Sequence, residues 1–259
     1  MRIFDPVPWR ILPPNLITAA GMSLGFVSLA CAASGDFLTA AWCIALAALV
    51  DKLDGSVARL LKASSDFGVQ FDSFSDFCTF GLSPAALVWF ACRGTQGSPW
   101  AEAPGAVASA STWMLGTVCV LYAVLAAVRL ARFNVTTAEH PTMFQGLPTT
   151  LSGSMTGLAF LSLHDFGLLD GDALRWAPWL LAFNAALMVS SLPLPKLALP
   201  KATPARIFFL VNILGVYLLV PMRTAYSSTY GLMLLLGYVL VGFVQGLRAE
   251  AEPNEMVTP

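Results

Sequence analysis

The chain has 259 residues, of which 57% are hydrophobic and 11% charged, and its mean hydropathy is +0.72. A soluble domain carries about 25% charged residues, so this chain is too apolar to hide its surface in one soluble core, and lipid must solvate much of it. A net charge of −1 leaves no basic excess for nucleic acid. The five cysteines, without CxxC or Cys/His spacing, argue against a zinc site and for free thiols in apolar surroundings.

Residues 1–14 hold Arg2, Arg10, Asp5, Trp9 and several prolines. They read as a short interfacial segment leading into a retained helix rather than as a cleaved signal. Residues 15–247 follow as one transmembrane domain. A membrane helix needs about 20 mostly apolar residues, and eight segments qualify in chain order. They run from Leu16 to Ser34, Leu38 to Leu61, Asp66 to Cys92, Ala106 to Ala131, Leu147 to Leu163, Ala177 to Leu192, Arg206 to Val220 and Tyr226 to Gly246. Helix breakers separate them: Ser-Gly-Asp at 34–36, a Gly/Pro-rich stretch at 94–105, Asp-Gly-Asp at 170–172 and the proline-rich 193–204. Residues 248–259 form a polar tail. The predicted fold is therefore an all-α integral membrane protein of about eight transmembrane helices.

The basic residues orient it. With a cytoplasmic N-terminus, Arg2, Arg10, Lys52, Arg59, Lys62, Arg129, Arg132, Lys196, Lys201, Arg206 and Arg248 fall on the inner side. Only Arg93, Arg175 and Arg223 fall outside. This asymmetry follows the positive-inside rule and predicts both termini in the cytoplasm. Trp9, Trp100, Trp176 and Trp179 sit near span ends, where an aromatic belt is expected.

The second and third spans carry acids that a membrane disfavours. Asp51 and Asp54 are three residues apart, with Gly55 and Arg59 on the same helical face, and Gly68, Asp72 and Asp76 recur every fourth residue. A tight connection around Ala63–Ser65 predicts antiparallel packing, so the two faces can bring four carboxylates together at the inner end. An Asp at a helix centre costs roughly 2.5–3.5 kcal/mol on insertion scales, and four together repel. Lys52 and Arg59 offset part of this. Divalent cations, which favour hard oxygen ligands, offset it better. Gly55 and Gly68 remove side chains where a ligand would need close approach to the backbone. Asp66, at the head of the third span, reads instead as a helix cap.

The run Asp51-x2-Asp54-Gly55-x2-Ala58-Arg59-x8-Gly68-x3-Asp72-x3-Asp76 resembles the signature of the CDP-alcohol phosphotransferase family in every fixed position. That resemblance implies a metal-dependent transferase using Mg²⁺ or Mn²⁺, with two ions held by Asp51, Asp54, Asp72 and Asp76. It also implies Asp76 as general base. Gly55, Ala58 and Gly68 would make room for the cytidine of a CDP-linked donor, Arg59 would steady its phosphates, and Thr18 would line the nucleotide pocket. A homodimer is implied as well.

Beyond the signature, Pro14-Asn15-Leu-Ile-Thr18, Gly25, Arg129-Leu-Ala-Arg132-Phe-Asn134, Gly146-Leu-Pro148 and Ser190-Ser191 to Lys196 resemble the phosphatidylserine synthase branch of that family. The branch implies CDP-diacylglycerol as donor and L-serine as acceptor. Arg129, Arg132 and Lys196 are then candidates for the serine carboxylate, and equally for anchors at helix ends. Asn134 reads as a helix-end cap. The chain departs from the branch at Gly21, where Asn is expected, and at Thr149-Thr150, where a second proline usually follows Gly-Leu-Pro. Glycerol 3-phosphate, inositol phosphate or choline are the alternative acceptors. A cation-coupled transporter is the alternative of another class, but it predicts repeats and broken helices near the midplane, whereas these acids gather near one face. His140 and His164 both read as surface residues.

Overall fold

The computed structural model describes residues 9–63, 65–95, 97–101, 110–136, 143–190, 193–195 and 203–251. His140, Lys196, Lys201, residues 1–8 and the tail from 252 lie outside them. Each segment expected to span carries a helix over most of its described residues. After a short 3-10 turn at Trp9–Ile11 come α1 (Leu12–Ala33), α2 (Phe37–Leu61) and α3 (Asp66–Asp76). A π-helical segment (Phe77–Leu82) joins α3 to α4 (Ser83–Gly94), forming one continuous rod. The remaining helices are α5 (Ala110–Thr136), α6 (Thr149–Asp165), the one-turn α7 (Gly171–Leu174), α8 (Ala177–Val189), α9 (Thr203–Leu219) and α10 (Ala225–Ala251). Among the described residues, four helical runs are by length and composition suited to crossing a membrane: Trp9–Ala33, Asp66–Gly94, Ser111–Val135 and Tyr226–Gln245.

Local chemistry sets the helix ends. Pro13 and Pro14 occupy the first turn of α1, where no backbone donor is needed. Asp36 caps α2 by accepting a hydrogen bond from the Thr39 amide at 3.0 Å. Lys62, in the left-handed region at φ 51°, ends it. The cap of α3 is Ser65, whose Oγ accepts from the Gly68 amide at 3.0 Å. Asp66 therefore does not cap this helix. It is the first helical residue, where its charge still complements the helix dipole.

A short antiparallel pairing of β1 (Met143–Gln145) with β2 (Pro193–Pro195) qualifies the all-α expectation. It closes a knot at one end of the bundle. Gly146, at φ +73°, leads out of β1, and a Cβ there would lie 2.6–2.9 Å from the carbonyl oxygens of Leu187, Met188 and Ser190. Only glycine fits. Arg132 in α5 donates to the carbonyls of Gln145, Met188, Val189 and Ser190 at 3.1–3.5 Å. One guanidinium thereby ties α5, the β1 turn and the end of α8 together.

The core joins α2, the π segment, α4, α5, α6 and α8 through Ile44, Phe80, Leu87, Leu115, Tyr122, Leu161 and Leu181. Phe26, Val120, Val124, Leu214 and Leu240 are exposed. Large apolar side chains on the outside and hydroxyls within are the pattern of a bundle solvated by lipid. Trp9, Trp176 and Trp179 are exposed, as expected of a belt. Trp100 is instead buried in the core, and its indole N–H donates to the Leu174 carbonyl at 3.2 Å.

One seam positions the acidic helices. Ser75 Oγ donates to the Thr18 carbonyl at 3.2 Å, Thr79 Oγ1 to that of Gly21 at 3.3 Å, and Ser83 Oγ to that of Gly25 at 3.0 Å. The π segment lies in this seam. Its wider turn displaces carbonyls from the helical ladder, and Tyr122 Oη donates to the Phe80 carbonyl at 2.9 Å. Serine and threonine hydroxyls thus satisfy backbone acceptors that lipid could not.

Candidate metal centre

Asp51 lies just past the middle of α2, and Asp72 and Asp76 lie on successive turns of α3. One carboxylate oxygen from each falls within 4.8 Å of the others. At that spacing each pair repels by roughly 3–4 kcal/mol at an effective dielectric of 20. Asp76 is buried and the other two are partly so, so water screens them poorly. Three convergent hard oxygens suit Mg²⁺ or Mn²⁺. Metal–oxygen bonds of about 2.1 Å would draw octahedral ligand oxygens to roughly 3–4 Å apart. The residues present fit a divalent cation.

Asp54 is one turn beyond Asp51 and is placed differently. Its Oδ2 accepts from Thr18 Oγ1 at 2.7 Å, and the same hydroxyl lies 3.1 Å from the Pro14 carbonyl. Both side chains are buried. Thr18 therefore ties the first helix to the acidic face.

Gly55 leaves room beside the acids, whereas Gly68 stands where Ser65 and Asn15 approach closely. A Cβ on Gly55 would meet only the Arg59 guanidinium, at 3.5 Å, and one on Gly68 would meet Ser65 Oγ at 3.1 Å and Asn15 Oδ1 at 3.4 Å. Ala58 is half-buried and Arg59 exposed. Arg59 Nη2 donates to Ser56 Oγ at 3.3 Å, a contact that is easily exchanged for a ligand.

Arg129 and Arg132 have separate environments. Arg129 is buried, donates to Thr149 Oγ1 at 3.4 Å and lies 5.1 Å over the Phe133 ring. Its charge acts on Asp76 and Asp51. Arg132 serves the carbonyl knot described above. Asn134 does not turn back on its own helix end: its Nδ2 donates to Ser73 Oγ at 2.9 Å and links α5 to α3. His164 is half-exposed beside Asp165, at 3.7 Å, remote in sequence from the acids. Sequence reasoning did not anticipate Thr150, whose Oγ1 donates to Asp76 Oδ2 at 3.4 Å. The one signal nearby was the departure at Thr149-Thr150 from the second proline expected after Gly-Leu-Pro.

Residues 11–194 match the model of a family described as CDP-alcohol phosphatidyltransferase. A Helicobacter pylori protein (strain J99) named CDP-diacylglycerol–serine O-phosphatidyltransferase is 31% identical over 236 residues, spanning 90% of this chain and 92% of that protein. One of the same name from Mycobacterium tuberculosis (strain H37Rv) is 29% identical over 215 residues, 78% of this chain and 68% of that protein. An archaetidylserine synthase of Methanothermobacter thermautotrophicus is 29% identical over 185 residues, 71% of this chain and 69% of that protein.

Proposed function

This chain belongs to the CDP-alcohol phosphatidyltransferase family, and we propose that it transfers the phosphatidyl group of CDP-diacylglycerol to the hydroxyl of L-serine, releasing CMP. The observation that carries this reading is the convergence of Asp51, Asp72 and Asp76 within 4.8 Å, in a chain whose relatives bear that activity in their names. Asp51, Asp54, Asp72 and Asp76 would hold two Mg²⁺ or Mn²⁺ ions. When bound, these supply charge stabilisation for the donor diphosphate and the departing phosphate.

The chain's own residues do the rest. The space beside Gly55, Ala58 and Gly68 takes the cytidine, and Arg59, exposed and weakly engaged, reaches the donor phosphates. The acceptor oxygen forms a bond to the phosphatidyl phosphorus, the bond from that phosphorus to the CMP oxygen breaks, and the hydroxyl proton passes to an Asp76 oxygen. Arg129, whose charge acts on the acidic cluster, would hold the serine carboxylate. Arg132 is committed to four carbonyls, which argues for an architectural role.

Eight membrane crossings with both termini cytoplasmic would set the cluster at the inner face, where a water-soluble acceptor arrives. The excess of basic residues on that side supports this topology. Purified full-length protein with CDP-diacylglycerol, Mg²⁺ or Mn²⁺ and each labelled acceptor in turn tests the reading. Serine label in lipid with equimolar CMP is expected, and chelation should stop it. No CMP with any acceptor refutes the transfer; label from glycerol 3-phosphate but not serine refutes the acceptor alone.

A further inference from the structure

We infer that Thr150 is a positioning residue for the acceptor half of the reaction, orienting Asp76 through a hydrogen bond to Oδ2. The inference rests on the transfer reading above. Asp76 closes α3 just before the π segment, and its side chain is buried. Thr150 reaches it from α6, 74 positions away in the chain, with Oγ1 3.4 Å from Oδ2.

The donor is held firmly. Thr150 sits in the first turn of α6, and Ser154 Oγ donates to its carbonyl at 2.6 Å. Ser152 N donates to the Pro148 carbonyl at 3.0 Å, closing the same turn. A threonine hydroxyl has one proton to give. Given to Oδ2, it fixes the rotation of the carboxylate that is to take the acceptor proton. A bond of 3.4 Å is long, but catalytic hydrogen bonds are commonly long without substrate and shorten in the reacting complex.

The preceding residue strengthens the case. Thr149, fully buried, accepts from Arg129 at 3.4 Å. Two consecutive residues thus hold the two groups assigned to the acceptor, the base and the cation for its carboxylate. The first turn of α6 therefore forms the wall on which the acceptor is aligned.

The test compares Thr150→Val, which keeps shape and removes the hydroxyl, with Thr150→Ser, which restores it. CMP release is measured in the full-length protein against serine and against CDP-diacylglycerol, and Mn²⁺ affinity is measured separately. T150V should lower kcat by about tenfold or more, the loss expected for a hydrogen bond to a charged group. The KM for CDP-diacylglycerol and the Mn²⁺ affinity should stay at wild-type values, and T150S should recover most of the turnover. Wild-type kcat in T150V overturns the inference. So does a parallel loss of donor and Mn²⁺ binding, or a T150S variant as impaired as T150V. Should T150V not fold, Thr150→Ala is read against the same outcomes. A wild-type protein that releases no CMP refutes the transfer reading itself, which separates the two failures.

Discussion

Gly25→Ala tests whether the seam between α1 and the acidic rod sets the geometry of the site. A Cβ at Gly25 would lie 2.5 Å from Thr79 Oγ1 and 2.9 Å from Thr79 Cα, whereas non-bonded carbons settle at about 3.5–4.0 Å. The Cα is backbone and cannot rotate away, so the two helices must part by about 0.6 Å or more. The three hydroxyl–carbonyl bonds, now 3.0, 3.2 and 3.3 Å, would then stretch to or past the limit of hydrogen bonding. Overpacking alone costs about 1–3 kcal/mol. The shift also moves Thr18, and with it the support of Asp54. A 1 Å misplacement can cost about 10²-fold in rate, so roughly tenfold is expected here. The assay is CMP release together with the thermal unfolding midpoint of the detergent-purified protein. Gly21→Ala is the control, since its Cβ would meet only Ser75 Oγ and Val50 Cγ1, both at an ordinary 3.6 Å. If G25A matches G21A in both rate and midpoint, the seam does not govern the site.

Asp76→Asn should reduce CMP release by about 10²-fold or more, the usual contribution of a general base, while donor binding by equilibrium dialysis stays within a few-fold. Arg132→Ala should lower the unfolding midpoint strongly. It strips a shared donor from four carbonyls, and each acceptor left unsatisfied costs about 1–3 kcal/mol where buried. Lysine at that position should rescue little, because it lacks the planar fork. Asp36→Ala should cost about 0.5–1 kcal/mol, the low end for a lost N-cap at an exposed position. Hydrogen bonds from the Thr39 side chain and amide hold the Asp36 carboxyl below its ordinary 3.8. Its stabilisation is therefore full above that value and fades as pH falls through the lower folded-state value. The midpoint difference between wild type and D36A should shrink in acid; a difference that grew would refute the cap.

The helices were legible because their signals are local. Apolar runs and breakers mark the segments, and the four-residue spacing of Gly68, Asp72 and Asp76 defines a face without reference to the rest of the chain. The convergence of Asp51 with Asp72 and Asp76 was anticipated from their spacing, but not its cause: α2 and α3 barely touch, and α1 packs against both. What stayed hidden depends on partners distant in sequence. Nothing beside Asp54 indicates that Thr18 will bind it, and nothing beside Asp76 points to Thr150. Trp100 looked like a belt residue because span-end tryptophans usually are, and only the packing of α7 against it reveals the Leu174 carbonyl it serves. Asn134 and Asp66 were misjudged at helix ends for a related reason: several nearby polar groups compete there, and the folded chain chooses among them. The π segment leaves no pattern of its own, since one widened turn hardly alters the apolar periodicity.

The seam between α1 and the rod is one-sided. Every donor along it, Ser75, Thr79 and Ser83, lies on the rod, and every acceptor is a main-chain carbonyl of α1. The two strips should therefore tolerate change by different rules. Along α1 the requirement is bulk alone, strict at Gly25 and relaxed at Gly21. Along the rod it is chemical: serine and threonine should interchange at 75, 79 and 83, while alanine or valine should not. A saturation library across both strips would display that difference directly, one profile graded by side-chain volume and the other divided by the presence of a hydroxyl.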